Sequence, residues 1–123
     1  MGRFALAIVM VLALPAPMEA GEFNDGVEAY GRGDYATALQ LLRPLAQQGN
    51  AGAQNNLGVM YAQGHGVLPD FVQAWKWLSL AASLYSDKGD RDRAIAARDY
   101  VGALMTPAQI TKAAKLVREW RPN

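Results

Sequence analysis

The chain contains no cysteine and only one histidine, His65. Without cysteine it has no disulfide framework, no thiolate zinc site, no thiol nucleophile and no cysteine to carry a lipid. A single imidazole does not make a zinc site, and a serine triad would require His65 to meet Ser79, Ser83 or Ser86 on the following helix. We therefore expect no catalytic residue, no cofactor and no metal ion.

The chain also lacks an excess of charge of one sign, with 12 Lys and Arg against 11 Asp and Glu and a net charge of +1. So small a charge gives no reason to expect nucleic acid or an anionic membrane as a partner. Asp87, Asp90 and Asp92 lie close together but lack the spacing of a calcium-binding EF-hand loop. We interpret Asp87 or Asp90 as a helix cap.

The first twenty residues differ in composition from the rest of the chain. Arg3 precedes an uninterrupted apolar run at positions 4–14, and a proline-containing segment then ends in Ala20. This pattern is typical of a secretory signal peptide, and the run is shorter than the roughly 20 residues that a bilayer span needs. We expect a signal peptide over residues 1–20, cleavage after Ala20, a periplasmic or secreted domain over residues 21–123, and no stable membrane insertion after cleavage.

A helix-start signal recurs every 36 residues, at Asp34, Asp70 and Thr106. These residue types cap helix N-termini, and the positions four, eight and eleven residues after each are apolar, which is the periodicity of an amphipathic helix. A second helical pattern precedes each cap, and no segment alternates with the period of a strand. We predict an all-α fold, a short right-handed α-solenoid of three antiparallel helix hairpins, with repeats at about residues 22–50, 51–86 and 90–120.

The central segment carries a spaced motif that runs from Ala53 through Leu57-Gly58, Tyr61, Gly64 and Gly66 to Asp70, Ala74, Trp77 and Ala81-Ala82. This motif resembles the Sel-one-like repeat, a relative of the tetratricopeptide repeat. The segment around Gly33-Asp34-Tyr35 is similar to a shortened first copy, and the third hairpin matches only in its helix register. The resemblance implies an adaptor that assembles other macromolecules. A cysteine-rich subgroup is linked to β-lactam binding, which is not carried over because this chain has no cysteine.

In such a right-handed stack the first helix of each pair lines the concave surface. Trp75 is a candidate anchor if partly exposed, or is buried against the neighbouring hairpin. His65, in a Gly-His-Gly turn, is expected to be solvated. The predicted partner-binding residues are Glu28, Arg32, Gln54, Asn55, Gln63 and Trp75.

These observations favour a non-enzymatic adaptor that binds a protein or peptide segment on its concave surface. The alternative from another class is a small cell-wall-associated hydrolase or a protein that binds β-lactams or peptidoglycan. A third hypothesis is a homo-oligomer, because a short repeat stack leaves its end faces exposed.

Overall fold

The computed structural model describes residues 19–123, with side chains from Gly21 onward. The predicted signal peptide lies outside these residues except for its last two, which begin the first helix. Residues 19–123 contain no strand, which confirms the all-α prediction, and no helix in this range is long and apolar enough to cross a membrane. The helices are α1 (Glu19–Gly31), α2 (Tyr35–Gln47), α3 (Ala51–Gln63), α4 (Phe71–Leu84), α5 (Lys88–Gly102) and α6 (Pro107–Glu119).

The predicted caps begin three of these helices. The side chains of Asp34, Asp70 and Thr106 each accept a hydrogen bond from the backbone N–H three residues later, at 3.3, 3.1 and 3.2 Å. The Gln109 side chain returns a hydrogen bond to the Thr106 backbone N–H, which completes a capping box. Asp87, one of the two predicted caps, begins α5, so this helix starts at Lys88, shortly before the predicted third repeat at about residue 90.

The first two hairpins form one continuous core. α1 packs on α2 and α3 packs on α4, and α2 also packs on α3. Small residues allow the close approach, since a Cβ at Gly26 would lie 2.7 Å from Leu42 and a Cβ at Gly58 would lie 2.7 Å from Leu78. The buried residues of the main core cluster are Ala29, Ala38, Leu42, Leu45, Ala46, Ala53, Leu57, Met60, Trp77 and Leu80.

The third unit departs from the predicted hairpin. α5 packs on α4, but α6 also packs on α4 and makes few contacts with α5. Ala113 of α6 is fully buried, and Val117 and Trp120 reach the core of the first two hairpins. The backbone N–H of Asn123 donates to the carbonyl oxygen of Gln47 at 3.0 Å. The C-terminal helix therefore ties the second repeat back to the first.

Candidate functional site

An open apolar groove lies between α3 and α5, with α4 forming its floor. The two wall helices run in the same direction because each packs antiparallel to α4, and they contact each other only slightly. The groove encloses about 400 Å³. Its lining residues are Val59, Ala62 and Gln63 from α3, Phe71 and Leu78 from α4, and Ala97, Tyr100, Val101 and Leu104 from α5 and the turn after it.

Small side chains on both walls keep the groove open. Ala62 of α3 and Ala97 of α5 both line the groove, and neither side chain is long enough to fill the space. Gly58 brings α4 close beneath α3, and Leu78, which is 1% exposed, forms part of the floor. Small residues therefore have two effects here: Gly58 lets α3 and α4 pack closely, and Ala62 and Ala97 leave an apolar depression.

Large apolar side chains stand exposed around this groove. Tyr100 is 72% exposed and Leu104 is 54% exposed, and both line it. Leu68, in the turn after α3, is 86% exposed. The turn after α3 and the C-terminal end of α5 lie at the same end of the molecule, because α3 and α5 run in the same direction. Exposed apolar side chains that line one groove, as Tyr100 and Leu104 do, mark an interaction site more often than scattered apolar residues do.

The predicted partner-binding residues do not all lie on one surface. Glu28 and Arg32 are exposed at the C-terminal end of α1, and Asn55 is half-buried on α3. Gln63 is exposed and lines the groove, where its side-chain oxygen lies 3.4 Å from the Tyr30 hydroxyl. The prediction for Gln54 is wrong: this side chain is fully buried and its amide donates to the carbonyl oxygen of Ala46 at 3.0 Å.

Trp75 is a half-buried residue of α4 on the side of this helix that contacts α5. Its indole nitrogen would lie 3.2 Å from a Cβ on Gly102, and the guanidinium of Arg98 lies 5.9 Å from its ring centre. It also packs against the small core cluster of Ala74, Leu78 and Val101. Trp75 therefore packs mainly against α5, as in the second of the two predicted alternatives.

His65 belongs to an aromatic cluster that sequence analysis missed. Its ring stacks on Tyr35 with the ring centres 4.3 Å apart and an angle of 2° between the planes. Its Nδ1 lies 2.9 Å from the Tyr30 hydroxyl, whose pKa is raised by burial and by the neighbouring Tyr35. The prediction of a solvated turn histidine is wrong, because the loop after α3 folds back over α1 and α2. Neither the short turn before Asp34 nor the Gly-His-Gly sequence indicates that His65 contacts Tyr30 and Tyr35.

Several polar groups that were considered for catalysis or metal binding have structural partners, whereas the buried hydroxyl of Ser79 has no hydrogen-bond partner among the described residues. His65 is hydrogen-bonded to Tyr30, and the Ser83 hydroxyl donates to the carbonyl oxygen of Leu80. The hydrogen bond and charge of Lys88 lower the pKa of Asp92, and Asp90 pairs with Arg93. Within the part of the chain that the structure describes, no group of three His, Cys, Asp or Glu residues is placed to hold a metal ion.

The fold and the groove define a helical-repeat protein whose exposed surface features suit contact with another macromolecule. The Sel1 repeat model matches residues 20–50 and 51–86, so the chain belongs to the Sel1 repeat family. Sel1 repeats generally mediate protein–protein interaction, and proteins built from them are typically non-enzymatic interaction modules.

One relative is similar over most of this chain. It is an exopolysaccharide production negative regulator of Rhizobium leguminosarum bv. viciae, 29% identical over 121 aligned residues. The alignment covers 87% of this chain and 44% of the relative, so the chain spans less than half of that protein's length. No solved structure matches the chain.

Proposed function

We propose that the protein is a non-enzymatic adaptor of the bacterial periplasm or exterior that binds a segment of a partner protein in the groove between α3 and α5. The observation that carries this proposal is the open apolar groove with Tyr100 and Leu104 exposed at its rim. Burial of such side chains by a partner contributes roughly 25 cal/mol per Å² of apolar surface. A few apolar anchors with a polar surround supply most of the affinity in typical interfaces.

The polar residues predicted for partner binding have a secondary role in this proposal. Gln63 lies at the groove, where it contributes hydrogen bonds that orient the partner, and Arg32 and Glu28 extend the surface along α1. Because the chain resembles a protein named as a negative regulator of exopolysaccharide production, we propose that the adaptor serves a regulatory assembly. The proposed location depends on the composition of residues 1–20, which is typical of a signal peptide.

Site-specific crosslinking in the native host tests the groove. A photo-crosslinking amino acid replaces Leu104 at the groove rim, and in a matched control it replaces Leu84, which is 45% exposed at the end of α4 and does not line the groove. We expect discrete protein adducts from position 104 and none of the same mass from position 84. Identical adducts from both positions, or no adduct from position 104, would contradict the proposal.

A further inference from the structure

We infer that His65 and Tyr30 form a hydrogen-bond relay that holds the side-chain oxygen of Gln63 and leaves its amide nitrogen to the groove, where it recognises a neutral acceptor of the partner. In this relay His65 Nδ1–H donates to the Tyr30 hydroxyl oxygen, and the Tyr30 O–H donates to Gln63 Oε1. The inference rests on the proposed function and specifies the polar chemistry of the partner.

The direction of the relay follows from the three groups that it joins. The Tyr30 hydroxyl lies 2.9 Å from His65 Nδ1 and 3.4 Å from Gln63 Oε1. A hydroxyl has one proton to donate, and an amide oxygen can only accept. If the Tyr30 proton pointed at His65, the two oxygens would face each other with no proton between them. If it points at Gln63, the Tyr30 oxygen accepts from Nδ1–H, and both contacts are hydrogen bonds.

The loop after α3 fixes the position of the His65 ring. The His65 backbone N–H donates to the carbonyl oxygen of Met60 at 3.0 Å. The glycines on either side of it have φ of 71° and 75°, in the left-handed region that favours glycine. The ring lies flat on Tyr35, with 4.3 Å between the ring centres. Nδ1 therefore has a defined position beside the Tyr30 hydroxyl.

Tyr30 is the acceptor available to this nitrogen. Burial and the neighbouring Tyr35 raise the pKa of Tyr30, so its hydroxyl keeps the proton that it passes to Gln63. The nearby carboxylates of Asp34 and Asp70 accept backbone N–H groups of the helices that they cap. Among the described residues no carboxylate forms a salt bridge with His65.

Gln63 connects the relay to the groove. It is one of two lining residues with a polar side-chain atom, and the other is Tyr100. Its oxygen faces Tyr30 of α1, which does not line the groove, and its amide nitrogen has no hydrogen-bond partner among the described residues. Because oxygen and nitrogen occupy two ends of one planar amide, holding the oxygen leaves the N–H donors available to a molecule in the groove.

The composition of the groove defines the acceptor that these donors suit. None of the lining residues is charged. Burial of a carboxylate there would be costly because no cation lines the groove, whereas a carbonyl oxygen that accepts from Gln63 is satisfied. We therefore expect the partner to present a backbone carbonyl or side-chain amide oxygen beside the apolar side chains that enter the groove.

Nuclear magnetic resonance of the isotope-labelled full chain tests the relay without a partner. His65 is the only histidine, so its ring signals are unambiguous. With the ring neutral, we expect the proton on Nδ1. Tyr30→Phe removes only the hydroxyl, so the proton should move to Nε2. The Gln63 side-chain NH2 signal, identified by its absence in Gln63→Glu, should shift in the same variant.

Tyr61→Phe is the matched control, because the Tyr61 hydroxyl contacts Arg43 and lies outside the relay. It should leave the His65 tautomer and the Gln63 signal unchanged. A neutral wild-type ring with its proton on Nε2 would overturn the relay, since the Tyr30 proton would then point at His65. A Gln63 signal that Tyr30→Phe leaves unmoved would overturn it as well.

The crosslink from position 104 tests the chemistry of the partner. Gln63→Glu keeps the acceptor for Tyr30 and removes the N–H donors, and Gln63→Met removes the donors without adding a charge. Both should lower the adduct yield by about tenfold, the effect of one lost hydrogen bond. Gln40→Glu, at an exposed position that does not line the groove, should retain the yield.

An unchanged adduct yield in Gln63→Met would overturn the neutral acceptor on the partner. Absence of any adduct from position 104 in the wild type would overturn the proposed function and, with it, the partner chemistry. The tautomer of His65 decides the relay separately, because that measurement needs no partner.

Discussion

Gly58 sets the distance between α3 and α4. A Cβ at this position would lie 2.7 Å from Leu78 Cγ and 3.2 Å from the carbonyl oxygen of Ala74. Neither atom is the free end of a flexible side chain, and Leu78 is 1% exposed within the core. Since interiors are close-packed, the helices would have to separate to admit even one methyl group.

We predict that Gly58→Ala destabilises the protein by about 1–3 kcal/mol, the usual cost of overpacking. The melting temperature measured by circular dichroism should fall by roughly 4–8 °C for each kcal/mol in a domain of this size. Gly31→Ala is the control, because no atom lies within 4 Å of a Cβ there. Because alanine has a higher helix propensity than glycine, Gly31→Ala should not lower the melting temperature, and a Gly58→Ala variant that melts no lower than the wild type would refute the role of the contact with Leu78.

Residue roles were predictable where they depend on neighbours along the chain. Asp34, Asp70 and Thr106 cap helices as expected, because an N-cap needs only the amides of the following turn. The roles of Gln54 and His65 were not predictable, because both depend on the preceding repeat. Gln54 is buried and donates to the carbonyl oxygen of Ala46, and His65 packs against Tyr30 and Tyr35. Side-chain environments made between repeats leave no periodic signal in the sequence.

At the scale of elements, α6 shows what helical periodicity does and does not determine. The predicted apolar positions Ile110, Ala114 and Val117 are partly buried and mark the inward side of this helix, and its fully buried residue is Ala113, beside Ala114. The pattern does not identify the helix that this face meets. α6 lies on α4 instead of pairing with α5, and Trp120 after its C-terminal end packs beside Gly49 in the turn after α2.

We predict that Trp120→Ala costs about 2 kcal/mol, less than the 3–5 kcal/mol typical of a fully buried tryptophan, because Trp120 is only partly buried. Hydrogen exchange should show lost protection in α6 and also around Gly49 and the C-terminal end of α2, where the ring and the Asn123 backbone make contact. Lys112→Ala, at an exposed position of α6, should leave both regions protected. A loss confined to α6 would refute the tie between the C-terminus and the first repeat.

At the scale of the whole molecule, the predicted signal peptide meets the first helix of the repeat domain. The proposed cleavage site after Ala20 falls within the first turn of α1, which begins at Glu19. Phe23 is the first described residue that packs against the core, where it covers Gly52. Cleavage after Ala20 would therefore shorten a helix end, where the first N–H groups have no helical partner, and keep the core contacts that residues 21–123 make with one another.

We predict that the exported protein begins at Gly21 and unfolds at the same temperature as the full chain, because the core contacts of the described residues begin at Phe23. Mass spectrometry of the periplasmic or secreted fraction gives the N-terminus, and circular dichroism gives the melting temperature.

Val9→Asp, which places a charge in the apolar run, should keep the uncleaved chain in the cytoplasm, since the translocation machinery requires an apolar segment there. Val27→Asp is the matched control, as Val27 lies after the leader and is 39% exposed. Export of both variants alike would contradict the signal-peptide proposal, whereas export of the wild type with residues 1–20 still attached would contradict only the cleavage site.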